Sequence, residues 1–308
     1  MADAEVRLIE KSKFPRHKVC GEFFSPEIEA ELSRLGAWEA FRDAGPARIR
    51  SMTLHFGRRS KIWSLPEPAW GLSRYAFDAL LLDRAIASGA LLIRDASEIP
   101  AGIENRASRV IASGRSDAST HRGGRLFGFK AHFTGPVDDA VELFFFGDCY
   151  VGVNVVEDGR TNVCGLGPED YLRRFDFDFD RLAQESPALA SRLAPLTRTM
   201  KWISTGPLRY GQKFDPDTTG YPVGDALSFV DPFTGSGLLA AVKTGALAGA
   251  AAARKDPLAL YLRQCRASLQ KPFEIAGILR KVVSSGWADR IAGMIPGRML
   301  FALTRPGK

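Results

Sequence analysis

The sequence has no C-x-x-C pair, no H-E-x-x-H helix, no G-x-S-x-G elbow and no run of about 18 uncharged apolar residues. Its four cysteines, Cys20, Cys149, Cys164 and Cys265, are widely spaced. That spacing excludes a cysteine metal cage or a disulfide framework and suits a reducing, cytoplasmic compartment. The four histidines, His17, His55, His121 and His132, have no metal-ligand spacing, so no metal is expected. The start, "MADAEVRLIEK", lacks an apolar signal core. Lys and Arg never form a block, although the net charge is +7 and the pI about 9.3, so a nucleic-acid partner is not favoured. No internal repeat and no low-complexity linker breaks the 308 residues.

What is present alternates between two kinds of pattern. "EVRLIEK" reads as a short strand ending in an acid, and "SPEIEAELSRLGAWEAFRDAG" as one helix opened by Ser25-Pro26. "ARIRSMTLHFG" and "SKIWSLP" alternate apolar and polar residues and predict paired strands. "SRYAFDALLLDRAIASGA" predicts a helix capped by Ser73 and stopped at Gly89. "LLIRDAS" and "SRVIAS" predict strands. From Arg125 to Leu166 the chain is strongly β, with Asp158-Gly159 turning a hairpin. Helical pieces follow, interrupted at "DFDFD", and the segment after Asp256 reads as helical again.

The segment "VGDALSFVDPFTGSGLLAAVKTG" is the most informative. Gly237, Ala241, Gly245, Gly249 and Ala253 recur every four residues and share one helix face, which suits close packing. Gly235 and Gly237 open that helix, where backbone N–H groups and partial positive charge suit an anion or an electron-rich carbonyl. The string Gly235-Ser236-Gly237-Leu238-Leu239-Ala240 also matches G-x-G-x-x-A, but no βαβ unit follows it, so it is not a dinucleotide fingerprint. Asp225 is a lone carboxylate able to accept hydrogen bonds from a polyol, or a turn-forming Asp.

Taken together, this segment resembles the flavin-ribityl motif of FAD-dependent oxidoreductases with the hydroxylase-type FAD fold. That group includes geranylgeranyl reductases, aromatic monooxygenases and flavin halogenases. The resemblance covers most of residues 5–253 and implies FAD as cofactor, held by Asp225, Pro232, Gly235, Ser236, Gly237 and Leu238. "RLIEKSKFPRHKVCGEFFSPE" is similar to the family's second strand and loop. There the resemblance gives Glu10 the adenosine ribose and brings Arg16, Lys18, Cys20 and Gly21 near the flavin. Arg74 corresponds to the family's helix Arg that approaches the cofactor. "RVIASGRSDAS" resembles the family's Gly-Arg motif, with Ser113 where the family has Asp. The Cys20-Gly21 form is similar to the geranylgeranyl reductase branch, and the halogenase signature W-x-W-x-I-P is absent.

The implied fold class is α/β (α+β). It is an incomplete Rossmann-like FAD domain (1–40, 71–122 and 204–254) with an inserted antiparallel β-rich substrate domain (41–70 and 123–203) and a helical C-terminal tail (255–308). The family's first strand and G-x-G-x-x-G loop are not within the sequence. One reading places them in frame upstream of Met1; the other is a truncated or degenerate relative that binds an apolar ligand without catalysis. The implied function is an FAD-dependent oxidoreductase acting on a small apolar substrate, reductase-like, with a monooxygenase as the alternative. No catalytic acid or base and no electron donor is assigned. Phe144-Phe145-Phe146, Trp63 and Trp70 suit either an apolar pocket or a sheet core. The tail from Lys271, with Arg280, Lys281, Trp287, Arg290 and Arg298, suits either an interfacial membrane helix or a cap on the substrate domain.

Overall fold

A computed structural model describes residues 4–57, 59–94, 108–114, 125–208, 211–212, 219–229 and 235–269. The elements follow in chain order. They begin with strands β1 (Arg7–Ile9) and β2 (Phe23–Phe24), helices α1 (Ile28–Arg34) and α2 (Trp38–Asp43), and strands β3 (Ala47–Phe56) and β4 (Arg59–Gly71). Then come α3 (Arg74–Ala87), β5 (Leu91–Ile93), β6 (Val110–Ile111), β7 (Leu126–Thr134), β8 (Ala140–Phe146), β9 (Cys149–Val155) and β10 (Thr161–Pro168). Helices α4 (Glu169–Arg173), α5 (Phe179–Ala183) and α6 (Pro187–Leu193) lead to β11 (Thr197–Arg198), β12 (Ile203–Leu208), β13 (Gly211–Gln212), β14 (Tyr221–Pro222) and β15 (Ser228–Phe229). Helix α7 (Gly237–Arg254) and a helix α8 over 258–269 complete the described chain.

Local chemistry explains most boundaries. Ser73 caps α3 by accepting the Ala76 N–H at 3.1 Å. The β9–β10 hairpin turns through Asp158 (φ 59°) and Gly159 (φ 66°), the left-handed geometry an Asp-Gly pair favours. The "DFDFD" interruption falls between α4 and α5, where Asp176 and Phe177 have positive φ and Asp178 caps α5. One expectation fails here. The single helix from Ser25 is two helices, because Gly36 adopts φ 63° against the Arg84 guanidinium and redirects the chain.

The main sheet has nine strands in the order β11-β7-β10-β9-β8-β3-β4-β2, with β12 also on β7. It is antiparallel except for the parallel pair β3–β8. Residues directly opposite each other in a ladder share a face. One face carries Phe129, Ala131, Phe133, Phe144, Val151, Val153 and Val163 under α4, α5 and α6. The opposite face carries Met52, Leu54, Leu65, Val141 and Leu143, joined by Phe23. Outside this sheet, β1 pairs parallel with β5, β14 pairs parallel with β6, and β13 pairs antiparallel with β15. Helices α7 and α8 share a core with β14, in which Tyr261 donates to the Pro222 carbonyl. Among the described residues no helix is long and apolar enough to cross a membrane.

Candidate functional site

The loop from Phe14 to Glu22 lies on the second face of the main sheet and against the start of α3. Asn162 fixes it from below, donating through Nδ2 to the Cys20 and Gly21 carbonyls at 3.2 and 2.9 Å. Asp78, one turn into α3, takes Arg74 through two bonds of 2.6 and 2.8 Å and Lys18 at 2.6 Å. Burial works against the Arg74 charge, but Asp78 and the Cys20 sulfur outweigh it and raise its pKa. Lys18 is pulled below its ordinary value by burial and by Arg74, against the pull of Asp78. Arg16 is exposed over the Phe14 ring. Arg16, Lys18, Cys20, Gly21 and Arg74 therefore belong to one structural neighbourhood, assembled from a loop and a helix start about 55 residues apart.

Helix α7 reaches the same neighbourhood. Gly235, at φ 64°, sits so close to Phe23 that a Cβ would lie 2.7 Å from the ring, so only glycine fits there. Asp225 lies in a tight turn (Gly224–Ala226) tied to α7, since the Gly224 N–H donates to Thr244 Oγ1 at 2.9 Å. The small-residue face of α7 does not pack as expected. The buried positions are Leu239, Ala240, Val242, Thr244, Ala248 and Ala251, whereas Cβ atoms added at Gly237, Gly245 or Gly249 would meet nothing within 4 Å among the described residues. Spacing by four defines a face but not what lies against it. A Cβ at Gly21 would likewise meet nothing within 4 Å among the described residues. Ser236 precedes the first turn of α7 and its side chain does not cap that turn, and Leu238 packs on the α1–α3 core.

Glu10 follows β1 and its Oε1 accepts the Ser12 N–H at 2.7 Å, closing the turn after the strand. Pro232, the Gly-Arg stretch beyond Gly114 and the tail from Lys271 lie outside the described residues. The aromatic candidates separate. Phe144 is core beneath the helices, stacked on His55; Trp70 packs on Trp38 and Phe41; Trp63 and Phe145 lie with the Met52 face.

Solved structures share this fold over nearly the whole chain. A triple mutant of the flavin-dependent brominase Bmp2 aligns over 97% of this chain and 88% of its own, at 17% identity and a TM-score of 0.73. A flavoprotein/dehydrogenase from Cytophaga hutchinsonii aligns over 97% and 85%, at 16% identity and a TM-score of 0.74. The fold is that of FAD-dependent enzymes. PqsL, a probable FAD-dependent monooxygenase from Pseudomonas aeruginosa, shares this flavoenzyme fold over 97% of this chain and 92% of its own, at 16% identity and a TM-score of 0.66. No family model and no curated protein matches the sequence.

One cluster within the flavoenzyme fold escaped the sequence reading. Glu22, at φ 53°, is fully buried with Lys130, and its Oε2 lies 2.7 Å from His132 Nε2. Its Oε1 also accepts the Arg74 N–H at 2.5 Å. Burial opposes ionisation of Glu22, but His132 and Lys130 outweigh it and hold its carboxyl below the usual range. A signal was available. In "LFGFKAHFT", Lys130 and His132 alternate with Phe129, Ala131 and Phe133, which puts two cationic residue types on one face of an apolar strand.

Proposed function

We propose that the chain binds FAD and acts as an FAD-dependent oxidoreductase of the monooxygenase type on a small, largely apolar molecule. The observation that carries this is the convergence at Phe23. Its ring touches Gly235 at the start of α7, it directly follows the Glu22 loop, and it belongs to the apolar Met52–Leu143 face of the sheet. Among the described residues nothing lies within 4 Å of a Cβ added at Gly21 or Gly237, which leaves a backbone-lined surface that suits a flat ring and supports a flavin there.

Asp225 would accept hydrogen bonds from the ribityl hydroxyls. The first-turn N–H groups of α7 would face the electron-rich carbonyl edge of the ring. Bound FAD supplies the electron transfer and the reaction with dioxygen, which are the cofactor's own chemistry. The chain contributes the positive charge of Lys18 and Arg74 nearby and an apolar sheet face that excludes water. The brominase and the monooxygenase among the structural neighbours favour oxygen-dependent chemistry. Reductase chemistry is a second reading, favoured by the Cys20-Gly21 sequence.

The test is direct. Purified chain titrated with FAD is expected to quench flavin fluorescence and turn yellow, and then to consume dioxygen with a nicotinamide reductant. A chain that stays colourless with FAD in excess overturns the proposal. FAD reduction without oxygen consumption in the presence of substrate favours the reductase reading.

A further inference from the structure

Ser60, His55, Glu142 and Arg192 form one hydrogen-bonded chain on the face of the main sheet that carries Phe144. Ser60 lies opposite His55 in the β3–β4 ladder, and Ser60 Oγ is 2.8 Å from His55 Nδ1. His55 Nε2 is 3.0 Å from Glu142 Oε2, on β8. The other Glu142 oxygen accepts Arg192 Nε, from α6, at 2.5 Å. The His55 ring is stacked on Phe144, with centroids 4.2 Å apart and planes within 3°, so the directions of both nitrogens are held.

The proton positions follow from this geometry. Burial opposes ionisation of Glu142, but His55 and Arg192 outweigh it and hold its carboxyl below the usual range. An ionised carboxylate only accepts, so His55 Nε2 carries a proton and donates it. Nδ1 of the neutral ring is then an acceptor, and the Ser60 hydroxyl donates to it. A hydroxyl donating to an imidazole that a carboxylate orients is the arrangement of nucleophilic acyl transfer. His55 and Glu142 are largely shielded, whereas Ser60 is exposed. Ile62, two residues further along the same face of β4, is 71% exposed and offers an apolar surface beside the hydroxyl.

We propose that Ser60 is a nucleophilic serine with His55 as its base, and that it takes the acyl group of an activated ester whose short apolar acyl chain lies on Ile62. Ser60 Oγ forms a bond to the acyl carbon, and its proton passes to His55 Nδ1. The bond from that carbon to the leaving group breaks; the leaving group keeps the electron pair and receives the proton from Nδ1. Water then attacks the acyl carbon and gives a proton to His55. The carboxylic acid departs as Oγ takes that proton back. Nothing is oxidised or reduced. The chain supplies nucleophile, base and orientation, so the donors it suits already carry a good leaving group, as an aryl ester does. Glu142 acts through His55 and is a positioning residue. The site lies on the sheet face opposite Phe23 and Met52, so it stands or falls separately from the flavin reading.

The experiment treats the full chain with an alkyl fluorophosphonate, which leaves a phosphonyl group on activated serine oxygens, and locates the group by peptide mass mapping. Ser60 is expected to carry it, and 4-nitrophenyl butyrate is expected to release nitrophenolate. Ser60→Ala is expected to lose both with an unchanged melting temperature. His55→Gln is expected to slow Ser60 labelling about 100-fold or more, the contribution of a general base; His55→Asn serves if the first variant does not fold by circular dichroism. The charged groups around the ring are Glu142 on β8, Arg192 on α6 and Asp138 beyond Arg192. Glu142→Gln is expected to slow labelling and to move the acid limb of its pH profile to lower pH, because an imidazolium forms less readily beside an amide. An unmoved profile removes Glu142 from the arrangement. An unlabelled Ser60, label on other residues alone, nitrophenolate release that Ser60→Ala does not lower, or labelling that survives in the folded His55 variant overturns the proposal. The four residues would then be a strap between β4 and α6.

Discussion

His132 Nε2 lies 2.7 Å from Glu22 Oε2 across 110 residues of sequence, and neither side chain is open to solvent. Lys130 meets the other oxygen of the same carboxylate. Removing the anion would leave a buried ammonium without its counter-charge. Glu22→Ala is therefore expected to destabilise the chain by about 3–5 kcal/mol, read by urea denaturation. Glu22→Gln keeps the size and part of the hydrogen bonding and is expected to cost less.

The same cluster sets a pH dependence. Glu22 has a folded pKa below its ordinary value of 4.5, so its contribution is present above that value and is lost as pH falls toward the folded pKa. His17 is lowered from 6.5, so below that pH the unfolded chain binds the extra proton and stability falls as well. Both act in one direction. The melting temperature is expected to drop on acidification from pH 6.5, and the drop below pH 4.5 is expected to shrink in Glu22→Gln. A flat profile through both ranges would contradict the assignment.

The glycines of α7 separate stability from binding. Gly245→Ala and Gly249→Ala meet no neighbour within 4 Å among the described residues and are expected to stabilise by about 0.5–1 kcal/mol each, since Ala outranks Gly in a helix interior. Gly237→Ala meets no described residue within 4 Å either, but a methyl there stands where the flavin reading places the ring. It is expected to leave the melting temperature unchanged or raised and to weaken FAD binding, measured by fluorescence titration.

Gly71→Ala is the contrasting case. A Cβ there would lie 1.9 Å from the Val155 carbonyl oxygen, a backbone atom that cannot turn aside. The substitution is expected to cost about 1–3 kcal/mol or more by overpacking, visible as a lower denaturation midpoint.

Asp225→Ala tests the ribityl assignment. Losing that acceptor is expected to cost about 1.5–3 kcal/mol of FAD affinity with the fold intact, because the backbone bond from the Gly224 N–H to Thr244 that ties the turn to α7 is kept. Unchanged affinity would remove Asp225 from the site.

Local rules in the sequence determined the Ser73 cap, the Asp158-Gly159 hairpin, the paired strands β3 and β4, and the glycine-opened helix that begins at Gly237, since each depends on residues within a few positions. Tertiary structure decided what those elements face. The glycines of the α7 stripe that suited close packing have no neighbour within 4 Å among the described residues, and the neighbouring Ala240–Ala251 face is buried instead. Phe144 and Phe145 went to opposite faces because a strand alternates, and only the covering helices decided which face became core. Above all, the Glu22–Lys130–His132 cluster exists because the sheet brings a loop and a strand 108 residues apart into contact in a place without water. Sequence spacing carries no information about such a meeting, and burial is what turns three ordinary ionisable residues into one tightly interacting group.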